Sequence, residues 1–123
     1  MDGQKLLINI IENFTNKAHS TRKSNIKTVI ESYHCIQDPR LKDVIDKAIE
    51  CHKKYCVQTC NETYMRQHNT FVTRYLSKHQ PTHRDISIRQ NVSLRHVYRD
   101  IDAVFDRLMI FIYGIDSIMF KRE

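Results

Sequence analysis

Gly3, Gly114, Pro39 and Pro81 are the only glycines and prolines in a chain of 123 residues. Sheets need tight turns at short intervals, and those turns draw on Gly and Pro for backbone angles that other residues resist. So sparse a supply argues against sandwiches, barrels and doubly wound sheets and favours helices, which run further between breaks. The length and a hydrophobic fraction of 41% suit one domain with a modest core. The longest apolar stretches, residues 6–8 and 109–113, fall far short of the roughly 20 residues that cross a membrane. The opening Met-Asp-Gly-Gln-Lys lacks the features of a secretory signal. The expectation is a cytoplasmic protein with no membrane partner, in which Cys35, Cys51, Cys56 and Cys60 stay reduced.

Apolar positions recur at helical spacing along most of the chain. Leu6, Leu7, Ile10, Ile11 and Phe14 mark an amphipathic helix over residues 2–17, which the polar run 16–25 ends. A second helix is expected over 24–36, capped by Ser24, with Ile26, Val29, Ile30 and Tyr33 on one face. Asp38 and Pro39 stop it and start the next, with Asp as N-cap and Pro at the first helical position. Leu41, Val44, Ile45, Ala48, His52, Tyr55 and Val57 then keep helical spacing. After a weak patch at 59–63 it resumes with Tyr64, Met65, His68, Phe71, Val72, Tyr75 and Leu76, as one helix or two. Beyond Pro81, Thr82 caps a short helix that ends at Asn91. Ser93 caps a last helix over 93–112, with Leu94, Val97, Ile101, Val104, Phe105, Leu108 and Ile112 as its apolar stripe and Gly114 as its stop. The expected class is all-α, a helical bundle with a C-terminal helix-turn-helix.

The formal net charge of +6 is unevenly spread. Residues 1–65 carry 10 Lys/Arg against 8 Asp/Glu, residues 66–99 carry 7 against 1, and residues 100–123 carry 3 against 5. In the middle stretch every cation but Lys78 is arginine, whose planar fork fits phosphate and guanine better than lysine's point charge does. A local arginine excess is the footprint of a nucleic-acid binder, and also what a solvated helix face in a basic protein shows.

Residues 82–101 weigh toward the first. A helix-turn-helix needs a short first helix with a small residue at the crossing, a tight turn, and a capped second helix with one buried face. Ser87, then Asn91 with Val92, then Ser93, then Val97 with Ile101 supply these in order. The opposite surface of the second helix carries Arg95, His96, Tyr98 and Arg99 on the N-terminal turns, which is where a recognition helix enters the major groove. Arg95 and Arg99 are expected to contact DNA, one or both at base edges. Arg84, Arg89 and Arg74 are expected at phosphates, and Ser93 completes the set, while Asp102 and Asp106 lie further along the helix.

The run Asn91-Val92-Ser93-x-x-x-Val97-x-Arg99-Asp100-Ile101 resembles the recognition-helix pattern of bacterial regulators. The continuation from Phe105 through Tyr113, Gly114, Ile115 and Asp116 is similar to the C-terminus of small phage regulators of the ArpU/RinA type, with a sigma-factor-like helix-turn-helix. The resemblance covers about residues 70–116, and Gln90 departs from it, standing where the pattern has an apolar residue. It implies control of phage late or packaging genes in a Gram-positive host; double-stranded DNA is the expected partner, bound either by a helical dimer or by a sigma-like partner of RNA polymerase.

Cys51, Cys56 and Cys60, with His34 and His52 nearby, form the only metal-like cluster in the sequence. Their spacing falls within a helix and turns Cys51 roughly 140° away from Cys56, so they are read as thiols and no metal or other cofactor is expected. Asp43, Asp46 and Glu50 alternate with Lys42, Lys47, Lys53 and Lys54 as on a solvated face, and no Gly-rich phosphate loop is present. No catalytic residue and no enzymatic activity are expected. Residues 1–65 read as a helical region for dimerisation or partner binding, and residues 66–123 as the DNA-binding unit, the two packed as one domain. Apolar residues crowded at both chain ends point to a homodimer, or to a tail folded back on the first helix. The function that fits best is a sequence-specific DNA-binding transcriptional regulator of a bacterial host cell. A phage packaging component of the small-terminase type and a helical protein-binding adaptor are the alternatives.

Overall fold

A computed structural model of the chain describes residues 19–114. Among these residues there are five α-helices and no strands: α1 (His19–Glu31), α2 (Pro39–Thr59), α3 (Glu62–Tyr75), α4 (His83–Gln90) and α5 (Leu94–Tyr113), with a 3-10 turn at Tyr33–Cys35 after α1. The fold is therefore the expected all-α bundle. The helix expected over residues 2–17 and the chain beyond Gly114 lie outside the described residues.

Helix ends leave backbone N–H groups without partners, and local side chains satisfy them. Asp38 Oδ1 accepts from the Arg40 N–H at 2.9 Å, and Pro39 takes the first helical position of α2. The stretch 39–79 resolves into two helices because Cys60 adopts a left-handed conformation, with φ 51° and ψ 33°. Asn61 then caps α3, its side-chain oxygen accepting from the Tyr64 N–H at 3.1 Å. Left-handed backbone costs a non-glycine residue roughly 1–2 kcal/mol, which the packing of α2 and α3 on either side of Cys60 offsets.

The helix expected over 24–36 is corrected at both ends. α1 is already helical at His19, runs through Ser24 without a cap there, and stops at Glu31. Its polar N-terminal residues are held from outside the helix. Arg22 is buried with its guanidinium 5.0 Å from the centre of the Tyr113 ring, and Lys23 Nζ lies 2.7 Å from Asp102 and 2.9 Å from Asp106 on α5. On α2 the buried stripe is Leu41, Ile45, Ala48, Ile49, His52 and Cys56, whereas Val44, Tyr55 and Val57, expected on the apolar face, are exposed.

All four other helices pack on α5. Its residues Val97, Ile101, Val104, Phe105, Leu108, Met109 and Tyr113 are buried. Against them lie Ile26, Val29 and Ile30 of α1, Leu41, Ile45 and Ile49 of α2, Phe71 and Tyr75 of α3, and Ile86 of α4, as one continuous core. Phe71, Tyr75 and Phe105 meet at its centre with ring centroids 5.3–5.7 Å apart, tilted or edge to face. Such contacts add about 0.5–1.5 kcal/mol per pair beyond burial. Position 65, the junction drawn from the sequence, falls inside α3, and the core draws on helices from both sides of it.

Val97 has no exposure, while Arg99, two residues on, is exposed. Val97→Asp is expected to abolish the cooperative thermal transition, because an unpaired buried carboxylate costs several kcal/mol of a domain's typical 5–15 kcal/mol. Arg99→Ala should shift stability by no more than about 0.5 kcal/mol. Far-UV circular dichroism melts check this, and equal melting of the two variants would contradict the assigned faces.

Candidate nucleic-acid interface

α4 and α5 are joined by three residues, Asn91, Val92 and Ser93, and each carries one part of the corner. α4 opens with a reciprocal cap in which the Asp85 N–H donates to Thr82 Oγ1 and the Thr82 N–H donates to Asp85 Oδ2, each at 3.1 Å. These bonds hold the Asp85 carboxyl below the usual carboxylate range. α4 closes at Asn91, which is left-handed with φ 55°, its N–H donating to the Ile88 carbonyl while the Val92 N–H donates to the Ser87 carbonyl. Val92 packs against the core. Ser93 starts α5 by accepting from the His96 N–H at 3.1 Å. Ser87 is buried, and its hydroxyl donates back to the Arg84 carbonyl at 2.7 Å, so it adds little bulk between the helices.

Of the residues expected at DNA, Arg84, Arg89, Ser93, Arg95, Tyr98 and Arg99 are exposed. Arg95 and Arg99 make no hydrogen bond or ion pair among the described residues. Tyr98 is 53% exposed and stacks on His83 of α4, with centroids 4.3 Å apart and planes 12° from parallel. Arg74 of α3 reaches the same place. Its Nε donates to His83 Nδ1 at 3.2 Å, and its guanidinium sits 4.8 Å from the centre of the Tyr75 ring. Burial and the adjacent Arg74 charge lower the pKa of His83, which keeps that ring a neutral acceptor. Arg74 is thus tied in on one edge, unlike Arg95 and Arg99 of α5.

His96 turns away from this surface, its Nε2 lying 3.3 Å from Asp100 Oδ2. Asp100 is buried and accepts from both Arg66 Nε and Nη2, at 3.2 and 3.0 Å, and from Gln67. That fork raises the Arg66 pKa above its ordinary value. Burial works against the carboxylate of Asp102, but the hydrogen bond and charge of Lys23, joined by Lys27 at 3.5 Å, leave its pKa below the usual range. All three aspartates of α5 face cations: Asp100 meets Arg66, Asp102 meets Lys23 and Lys27, and Asp106 meets Lys23. The arginines on its first turns face solvent.

The departure at Gln90 has a local reason. Gln90 Nε2 donates to Thr70 Oγ1 at 2.9 Å, tying α4 to α3, and Ile88 points outward, 72% exposed. On the far side of α5, sequence reasoning missed a buried polar seam. Arg107 Nε donates to His52 Nε2 at 2.9 Å, so His52 carries its proton on Nδ1 and donates it to His68 Nδ1 at 2.8 Å. Arg107 also donates to Gln67, which links this seam to Asp100. A histidine at an apolar position of each helix was visible in the sequence, but their pairing across α2 and α3 was not.

The free Cys56 is buried beside His52, its thiol pKa pushed up by burial, while Cys35, Cys51 and Cys60 are free and exposed. Among the described residues no three His, Cys, Asp or Glu side chains converge as a metal ion would need. Asp43 and Glu50 pair with Lys47 and Lys54 on the outer face of α2, and Asp46 accepts from the Tyr33 hydroxyl. Among the described residues no helix is long and apolar enough to cross a membrane. Protein-family models, curated proteins and solved structures offer no match to the chain.

Burial, the Arg107 charge and His68 together push the His52 pKa down to about 3, and burial with Lys53 and Arg107 lowers His68 as well. Both rings titrate near 6.5 when unfolded, so below that pH the unfolded chain binds protons that the folded one refuses. Their contribution is complete above about pH 6.5 and is lost as pH falls toward the folded-state values, at up to about 1.4 kcal/mol per pH unit for each ring. Denaturant melts from pH 7.5 to 4.5 should show this slope, shallower in His68→Gln than in the wild type. Parallel profiles for the two proteins would contradict it.

Proposed function

We propose that the α4–turn–α5 corner is a helix-turn-helix that places the first turns of α5 in the major groove of double-stranded DNA, and that the protein is a sequence-specific transcriptional regulator. The observation that carries this reading is the sorting of charge on one helix. The aspartates of α5 are all paired with cations of neighbouring helices, whereas Arg95 and Arg99 are exposed and make no ion pair among the described residues. A duplex approaching this face meets positive charge with no paired carboxylate to displace. Arg95 and Arg99 are four residues apart, so both rise from one face of α5, with Tyr98 between them. Arg84 and Arg89 flank them from α4 and suit phosphate contacts. His96 drops out of the base-reading set, because its ring is turned to Asp100.

The outward Ile88 on α4 is an apolar group beside this basic face. It fits a protein partner bound together with DNA, which for a regulator in the cytoplasm of a bacterial host is RNA polymerase. A second copy of the chain would serve the same surface by presenting two recognition helices to two half-sites.

Selection from a random duplex pool, followed by fluorescence anisotropy at two salt concentrations, tests the reading. A preferred sequence should emerge. Arg95→Ala or Arg99→Ala should cost about 1–3 kcal/mol on it and relax the preference at one base pair. Arg84→Ala and Arg89→Ala should weaken all duplexes alike and each lower the salt slope by about one. Unchanged affinity in both α5 variants sinks the assignment.

A further inference from the structure

We propose that the cleft between α1, α3 and α5 is a binding site for a small aromatic anion, a planar ring carrying a phosphate or carboxylate, and that its occupant competes with DNA for Arg95 and Arg99. The cleft is open to solvent and has a volume of about 490 Å³, within the roughly 300–1,000 Å³ of small-molecule sites. Its cations come from three helices: Lys27 on α1, Arg74 on α3, and Arg95 and Arg99 on α5. Two acids, Glu31 and Asp102, share the lining, and Asp102 is already held by Lys23 and Lys27. Lys27 and Arg74 are engaged at Asp102 and His83, so Arg95 and Arg99 are the arginines left to grip a ligand, and a guanidinium fork matches a carboxylate or phosphate edge.

The rest of the lining explains the ring. Tyr75, Tyr98 and Phe105 bring aromatic surface to the cavity. Tyr98 lies with one face on His83, and half of its surface remains open. A planar ligand would cover this aromatic surface by stacking or edge contact. Inorganic phosphate would satisfy the arginines and leave the aromatic walls wet, and a neutral ring would do the reverse. Only a ligand with both parts uses the whole cleft. The competition rests on the DNA-binding reading above; the site itself does not.

The test uses the full chain, titrated by calorimetry with 5′-AMP and with 2-naphthoate, and in parallel with their uncharged counterparts adenosine and 2-naphthamide. At least one anion should bind one to one, with its neutral counterpart at least about tenfold weaker, since the neutral compound forfeits the charge-assisted hydrogen bonds to the arginines. Which anion binds tells phosphate from carboxylate chemistry. Arg99→Ala and Arg95→Ala should each weaken that anion by a similar factor while keeping the wild-type melting curve. With the anion at ten times its dissociation constant, the apparent duplex dissociation constant should rise by about tenfold. If neither anion binds, or the neutral compounds bind as well, the site is overturned whatever the duplex titration without ligand gives. If an anion binds and duplex affinity does not change, the competition is overturned. If an anion binds in the expected pattern and no duplex binds at all, the site stands and the DNA-binding reading falls.

Discussion

Burial of one stripe along α5, from Val97 to Tyr113, is the constraint around which the other helices are arranged. A helix of 20 residues with a continuous apolar face cannot remain in water, and α1, α2, α3 and α4 each cover part of it. Each neighbour reached by a side-chain link also has a polar tie to the same helix or its surroundings. Lys23 joins α1 to Asp102 and Asp106, Arg66 and Gln67 join α3 to Asp100, and Arg107 reaches back to His52 on α2. Apolar burial supplies the driving force, and these directional bonds set how the helices are rotated about it.

The candidate interface is what this arrangement leaves uncovered. Once the stripe and Asp100 turn inward and Asp102 and Asp106 are paired with Lys23, the first turns of the helix present Arg95, Tyr98 and Arg99 to solvent. Pairing the acids internally keeps the local field positive on that side, although the last part of the chain is net acidic. The basic surface is thus built partly by neutralising negative charge and not only by adding arginine.

The seam of His52, His68, Arg107, Gln67 and Asp100 has a different cost. Polar groups without water are stable only when every donor meets an acceptor. The chain of bonds from Arg107 through His52 to His68 meets this requirement with both rings neutral. A proton on His52 Nε2 would face the Arg107 N–H instead of accepting from it. The same geometry that orders the bundle thereby ties its stability to pH.

Much of the local structure was legible in the sequence because helix ends are chemically local. Asp38 with Pro39, Thr82 with Asp85, Asn91, and Ser93 all act within three residues of themselves, so residue type alone announces them. The apolar stripe of α5 from Val97 to Leu108 was legible for a related reason, since its period depends only on helix geometry, although Leu94 is exposed and the buried Met109 was not read. The helical state of residues 19–23 was not legible, because Arg22 and Lys23 look like a solvated run until Tyr113, Asp102 and Asp106 are brought to them. Nor was the break at Cys60, where a cysteine holds backbone angles usually left to Gly or Asn. His52 and His68 stand 16 residues apart, Arg66 and Asp100 stand 34 apart, and His52 and Arg107 stand 55 apart. The sequence by itself determined the all-α class and the caps at Asp38, Thr82 and Ser93. The tertiary structure decided which polar residues pair and which arginines stay free, because pairing depends on distances that only the packing of helices around α5 creates.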